Sequence, residues 1–484
     1  MEVLCLTALF LPVLTGFITG CLKQDKLRNS VVLISLLMQV LVVLMLIMHP
    51  VSEFELLRFT DSIALVFGVD VISMIFLLLI SVLWLMAAIY SFEYMKHEDH
   101  RPRYYLFYML TLAALMGLSM AKNLVTMYLC YEMMTLLSVP LVLHTQSKEA
   151  ISAGLKYLGY SVFGAGLGLL GIFFINHFAA TLAFVPGGSL IPELAVGNEN
   201  LLYTVYLLMM IGFGCKAGMF PLHAWLPAAH PIAPSPASAL LSGVITKGGV
   251  LAIIRVTYFV FGASFLQGSF AQTICLGLAI FTIFMGSMLA YKEKVLKKRL
   301  AYSTVSQVSY VLFALFLMTP LGLIGAILQI IYHALAKNML FLSAGSIIYK
   351  TGLKRVDEYK GLGKQMPFVM IIFTIASLSL IGIPPLGGFV SKWYIAQGAF
   401  SNPLGLLGIA VLMISALLTA GYTLPIIIDA FFPGSAFNYK KLKKKDVNIL
   451  MGLPLGILAV ILIVCGLFPK PIMDSLTLLL SALF

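Results

Sequence analysis

Apolar runs of about twenty residues, separated by short polar or basic stretches, recur along the whole of this 484-residue chain. A helix of that length crosses about 30 Å of hydrocarbon. The runs predict fourteen helices, over 3–21, 30–48, 66–90, 106–120, 123–143, 152–178, 201–229, 236–260, 271–290, 301–318, 321–349, 368–400, 403–432 and 447–467. Several exceed the thickness of a bilayer, which implies tilt or interruption. Two carry breaks: Pro221 in the seventh, and the run from Gly382 through Pro384 and Pro385 to Gly388 in the twelfth. The expected fold is therefore all-α, a polytopic membrane protein of about fourteen transmembrane helices forming one membrane domain over 1–484. Helices four to eight (about 106–260) and nine to thirteen (about 271–432) each hold a break in their fourth member. An odd number of helices per group gives the groups opposite topology, so two inverted five-helix repeats are expected. A last amphipathic piece, 473–484, is too short to span and is expected at the interface.

Composition supports this class. The chain is 61% hydrophobic and 10% charged, with a mean hydropathy of +1.03, which excludes an ordinary soluble domain. No cleavable signal peptide is evident, because no basic segment precedes the run from Val3 to Gly20. The six cysteines stand singly, so no iron–sulfur centre, structural zinc or other cofactor is expected in this chain.

A net charge of +12 would point to nucleic acid in a soluble protein, but its distribution assigns it to the bilayer. Of 31 Lys and Arg, 22 lie in or beside loops that follow odd-numbered helices, among them Lys297, Lys298, Lys354, Arg355 and Lys440 to Lys445. Only Arg58, Lys122 and Lys470 fall on the other side. The positive-inside rule puts the odd loops in the cytoplasm and both termini outside. No nucleic-acid partner is expected.

Six basic residues remain within predicted helices: Lys156, Lys216, Lys247, Arg255, Lys337 and Lys392. A charge at mid-bilayer costs about 2.5–3.5 kcal/mol on insertion scales, so such residues face protein or water and have a task. Snorkelling accounts for Lys156 and suits Arg255. It does not account for Glu132, Lys247 or His333 at mid-depth. His333 and Lys337 are four apart and share a helix face. Lysine, carboxylate and histidine together can hold and pass protons, since burial and a neighbouring charge pull a lysine in opposite directions. Five prolines between Pro221 and Pro236 rule out a plain helix around His223 and His230, and two lone histidines make a poor metal site. Asp70 and Asp429, at helix ends, read as caps or anchors. Gly164 and Gly168 read as close helix packing.

The segment Lys216-Ala-Gly-Met-Phe-Pro-Leu-His-Ala-Trp-Leu-Pro-Ala-Ala-His230, continued to Lys247, resembles the signature of a known family. That family comprises the antiporter-like, proton-translocating subunits of complex I, Mrp-type cation/proton antiporters and membrane-bound hydrogenases. Tyr131-Glu132, His333 to Lys337, and Gly382 to Lys392 are further matches. The resemblance implies a fourteen-helix core in a prokaryotic cytoplasmic membrane. It makes Glu132 and Lys216 a coupled pair and Lys247 the central proton carrier. His223, His230, His333 and Lys337 become members of a hydrophilic axis, and Lys392 the second half's channel residue. Asp70 matches an acidic position at the start of helix three. Ala228 departs from the family, which often has Asp there. The chain also ends after its fourteenth helix, without the lateral helix of complex I's most distal subunit. The run from His230 to Pro236 is similar to that of hydrogenase-linked subunits.

Together these readings lead to a proton-translocating membrane subunit of a multisubunit respiratory or hydrogenase-type complex. Redox chemistry lies elsewhere, in a peripheral hydrogenase or dehydrogenase module, and other membrane subunits are partners. The alternatives are a subunit of an Mrp-type sodium/proton antiporter and a stand-alone secondary solute transporter. A passive anchor would leave the buried charges without a task.

Overall fold

A computed structural model describes residues 2–60, 63–434 and 445–484. The main helices are α1 (Glu2–Cys21), α2 (Asp25–Met48), α3 (Val71–Tyr94), α4 (Arg101–Met120), α5 (Leu124–Val142), α6 (Lys148–Phe178), α7 (Glu199–Ala217) and α8 (Ser235–Phe261). They continue with α9 (Phe270–Lys292), α10 (Leu296–Phe316), α11 (Pro320–Thr351), α12 (Pro367–Ile381), α13 (Gly387–Ala399), α14 (Gly405–Phe431), α15 (Ile449–Leu467) and α16 (Lys470–Leu483). Among the described residues, eleven helices are long and apolar enough to cross a membrane. The protein is a helical, multi-span membrane protein. The expected spans 106–120, 301–318 and 368–400 fall on α4, α10 and the α12–α13 pair, which lie outside those eleven.

One expectation is corrected at the third span. Residues 64–67 belong to a β-hairpin, β1 (Phe54–Arg58) paired antiparallel with β2 (Ala64–Phe67), and the helix begins only at Val71. Apolar Ala64 to Phe67 reads like helix start by hydropathy, but Asp70 caps the helix by accepting from Ser73 N at 2.9 Å, and that fixes the boundary. Among the described residues the fold is thus helical apart from this hairpin and isolated bridges.

Both expected breaks occur, and each begins at a glycine. α7 stops at Gly218 (φ 82°) and α12 at Gly382 (φ 92°), in the left-handed region that a side chain resists. Beyond Gly218 a turn leads to a single helical turn, Trp225–Ala229, so the seventh span is helical only in part. Beyond Gly382 the chain re-enters helix at Gly387.

The helices sort by depth in the bundle. α8 and α10 are buried almost throughout, and α11, packed against α3, α8, α10, α12, α13 and α15, is nearly so. α1, α2, α6, α14 and α15 lie outside and expose Leu14, Phe17, Leu41, Phe173, Leu417 and Val460, as a bilayer-facing surface should. The expected close approach at Gly164 is real: a Cβ there would lie 2.6 Å from Gly212 O of α7. α16 buries Leu476, Leu479 and Leu483 along one face, in keeping with the amphipathic segment read from the sequence.

Loop charge is less uniform than the pattern of runs implies. Lys297, Arg299 and Arg28, assigned to loops, are buried. Lys297 sits in the first turn of α10 and donates to Ala233 O at 2.5 Å. Arg28 pairs with Asp25, which also pairs with Arg101. Lys440, Lys441, Lys443 and Lys444 lie outside the described residues.

Candidate functional site

Lys216, Lys247, Lys337, His230 and His333 are all buried inside the bundle, on α7, the turn that follows it, α8 and α11. What puts Lys247 in its place is a widening of α8. Residues Leu241–Ile245 form a π-helical turn, which frees a backbone carbonyl that a regular helix would engage. Lys247 Nζ donates to Ser242 O at 2.7 Å and lies 2.7 Å from His333 Nδ1 across the α8–α11 interface. The adjacent glycines make room. A Cβ on Gly249 would sit 2.6 Å from Phe213 O of α7, and one on Gly243 would sit 2.0 Å from Asn338 of α11.

One turn along α11, Lys337 Nζ donates to Leu300 O at 3.0 Å and to Ser303 Oγ at 2.7 Å, both on α10. His333 thus contacts Lys247 and lies one helical turn from Lys337 on α11. Its Nε2 has no hydrogen-bond partner among the described protein groups, nor has either ring nitrogen of His230, which stacks on Phe341 at 4.7 Å. His223 is half-buried beside Phe220 and stands apart from this row.

Lys216, in the last turn of α7, is held differently. Its Nζ donates to Tyr157 OH at 3.1 Å and Ser161 Oγ at 2.9 Å on α6, and faces the rings of Tyr157 (4.4 Å) and Tyr131 (5.8 Å). Glu132 and Lys216, expected as a coupled pair, are not in direct contact. Glu132 is half-exposed, accepts from Tyr128 OH at 3.4 Å, and forms no ion pair with Lys216, although each lies within reach of the other's charge. The reason is local: aromatic and hydroxyl side chains fill the space around the ammonium and satisfy it. Lys392 is separate again. Its ammonium donates to Leu380 O (2.6 Å) and Ile381 O (2.7 Å), the last carbonyls of the broken α12, where the helix dipole favours a cation.

Arg255 does not snorkel. It forms a bidentate pair with Asp70, Nη1 to Oδ2 at 2.7 Å and Nη2 to Oδ1 at 2.9 Å, and Lys122 joins at 3.2 Å. Burial works against the Asp70 charge, yet the neighbouring guanidinium and ammonium hold its carboxyl well below the usual carboxylate range. Lys156 is exposed, as expected of a snorkelling residue. Asp70 joins the site only as an anchor of α3 on α8.

Sequence reasoning missed Tyr157, Ser161 and Ser303, because single hydroxyls in apolar helices carry no pattern. A signal was present all the same: Tyr157 and Ser161 are one helical turn apart, a spacing that presents two hydroxyls together. No group of three or more His, Cys, Asp or Glu side chains that could hold a metal occurs among the described residues, where all six cysteines are free.

Residues 121–419 match the family described as NADH:quinone oxidoreductase/Mrp antiporter, transmembrane, and residues 59–105 match the N-terminus of complex I chain 5. NADH-quinone oxidoreductase subunit N of Desulforudis audaxviator is 32% identical over 413 residues, covering 82% of this chain and 81% of that one. A Na(+)/H(+) antiporter subunit of Alkalihalophilus pseudofirmus is 28% identical over 474 residues, covering 96% and 94%. A chain in the structure of the Mrp complex from Dietzia superposes with a TM-score of 0.87 at 21% identity, over 100% of this chain and 98% of that one. The chain belongs to the NADH:quinone oxidoreductase/Mrp antiporter family of membrane subunits.

Proposed function

We propose that this chain moves protons across a prokaryotic cytoplasmic membrane as one subunit of a larger complex. It crosses the membrane fourteen times, both termini lie outside, and its helices form two inverted five-helix repeats, about 106–260 and 271–432. Lys216, Lys247, Lys337 and Lys392 carry protons, His333 and His230 relay them, and Glu132 biases Lys216 electrostatically. His223 serves the cytoplasmic approach at the α7 break, and Asp70 supports the scaffold. The chain itself contributes no redox chemistry. A peripheral hydrogenase or dehydrogenase module drives it through neighbouring membrane subunits.

The observation that carries this reading is the 2.7 Å contact between Lys247 and His333, with Lys337 one turn beyond. Two adjacent buried basic groups cannot both be charged cheaply, so one proton is shared and can be pushed onward by a further charge. A structural ion pair would instead join opposite charges, as Asp70 and Arg255 do.

Gradient formation in vesicles holding the assembled complex tests it. Glu132→Gln should impair pumping and Lys247→Ala should abolish it, with the complex still assembled, while Lys156→Ala should change little. Normal pumping by Glu132→Gln and Lys247→Ala together with failure of Lys156→Ala would refute the roles. The second reading is a sodium/proton antiporter component, favoured by the near full-length likeness to the Alkalihalophilus antiporter chain. Purifying the native assembly decides between them, because a redox module co-purifies under the first reading and only membrane subunits under the second.

A further inference from the structure

α14 is a peripheral helix, and its outward face exposes Leu406, Met413, Leu417 and Ile428. Its buried stripe differs from that of the other late peripheral helix, α15, which buries only apolar residues and glycine. α14 buries Ser415, Thr419, Tyr422 and Thr423 at helical spacing. Thr423 donates back to Thr419 O and Thr419 to Ser415 O, an ordinary use of threonine in a membrane helix. Ser415 and Tyr422 reach neighbouring helices instead. Tyr422 OH donates to Ser303 Oγ at 2.7 Å, the same hydroxyl that accepts from Lys337 Nζ, and lies 3.3 Å from Thr419 Oγ1. One turn along, Ser415 Oγ accepts from Tyr310 OH at 2.8 Å and lies 2.5 Å from Ser287 Oγ and 3.1 Å from Ser306 Oγ. The Tyr310 ring in turn faces Lys392 Nζ, 5.2 Å from its centroid. The other polar contacts between α10, α11 and α13 involve carboxamides. Gln329 donates to Gln307 Oε1 at 2.9 Å and accepts from Ser391 at 2.6 Å. An amide cannot take up and release protons as readily as a hydroxyl.

We propose that α14 supplies a hydroxyl conduit that joins Lys337 to Lys392 through Ser303, Tyr422, Thr419, Ser415 and Tyr310. The proposal rests on the reading above that both lysines carry protons. In each passage the Lys337 ammonium gives up one proton and a neutral Lys392 amine gains one. Tyr422 donates to Ser303, Tyr310 to Ser415 and Thr419 to Ser415 O, so these three hydroxyls turn about to pass a proton towards Lys392. Every hydroxyl accepts one proton and releases one, and the conduit is unchanged once they turn back. Two hops are longer than a hydrogen bond: Thr419 to Ser415, one helical turn, and Tyr310 to Lys392. Rotation of the hydroxyls and of the long lysine chain, or one bridging water, closes them. The competing account is that these hydroxyls only hold helices together. The two differ in what a shape-preserving loss of oxygen does.

The test uses the assembled complex in membrane vesicles and follows gradient formation in H2O and in D2O. Thr419→Val and Tyr422→Phe keep shape and remove the hydroxyl; Ser415→Ala removes it with little volume. Thr419→Ser and Ser415→Thr retain it. With assembly unchanged, the hydroxyl-lacking variants should slow gradient formation by about tenfold or more and raise the isotope effect, while Thr419→Ser and Ser415→Thr stay near the native rate. Native rates in Thr419→Val and Tyr422→Phe would overturn the conduit, as would equal losses in Ser415→Ala and Ser415→Thr. Lys337→Ala and Lys392→Ala separate the two levels. If both abolish the gradient while the hydroxyl variants do not, the conduit alone falls. If both pump normally, the proton-carrying roles fall with it.

Discussion

Replacing Asp70 by asparagine leaves a buried guanidinium without its counter-charge. Arg255 is 2% exposed and Asp70 25%, and they are joined by two hydrogen bonds, at 2.7 and 2.9 Å. Breaking a buried pair by removing one partner costs about 3–5 kcal/mol, and the partial exposure of Asp70 places this case near the lower end. About 3 kcal/mol corresponds to a roughly hundredfold change in the folded-to-unfolded ratio. Asparagine can still cap α3 by accepting from Ser73 N, so Asp70→Ala should cost about a further 1 kcal/mol. Arg255→Met added to Asp70→Asn removes the stranded charge and should recover most of the loss, a non-additivity that only a contacting pair produces. The pH dependence follows from the sign. The folded carboxyl titrates below its unfolded value, so the pair's stabilisation is present above about pH 4 and is lost only as pH falls towards the lower folded value. Between about pH 5 and about pH 9 the difference between native protein and Asp70→Asn should therefore be flat. Heat survival of the detergent-solubilised protein, read as the monodisperse fraction after a fixed incubation, measures the native protein, Asp70→Asn, Asp70→Ala, Arg255→Met and the double variant. Equal survival of native protein and Asp70→Asn, or a double variant worse than either single one, would refute the argument.

His144, on the loop after α5, is buried, and burial followed by the Arg103 charge lowers it to about 4. The unfolded chain then binds the proton first, so stability should fall as pH drops from about 6.5 to about 4, by about 3 kcal/mol at most, and His144→Gln should flatten that slope in acid-unfolding curves. Gly249→Val should block the α7–α8 approach, since even a Cβ meets Phe213 O at 2.6 Å; loss of assembled protein on native gels checks it, and normal yield would count against the packing described. Tyr157→Phe with Ser161→Ala strips Lys216 of both hydroxyl partners and should lower pumping more than either change alone, as vesicle assays can show. Single cysteines at Lys298, half-buried beside Glu293, and at exposed Lys354 should react only with reagent added on the cytoplasmic side. Lys297 is unsuitable for that purpose, being buried against Ala233.

Much of this protein was readable from its sequence because the bilayer imposes a one-dimensional rule. Any spanning segment must be long, apolar and internally hydrogen-bonded, and the places where that rule fails attract notice. The breaks after Lys216 and before Lys392, and the basic residues inside apolar runs, were visible for that reason, and the motif from Lys216 to Lys247 carried the family. Partner choice was not readable. Glu132 and Lys216 looked like an ion pair, yet Tyr157 and Ser161 of α6 satisfy the lysine. Arg255 looked like a snorkelling side chain until Asp70, 185 positions away, met it. Lys297 looked like loop charge, yet α10 begins just before it and turns it inward. In each case hydropathy and spacing establish which residues are buried and on which helical face. Which groups meet across that face depends on the crossing of helices distant in sequence and on small residues such as Gly243 and Gly249 that set how closely they pack, and that is decided only in three dimensions.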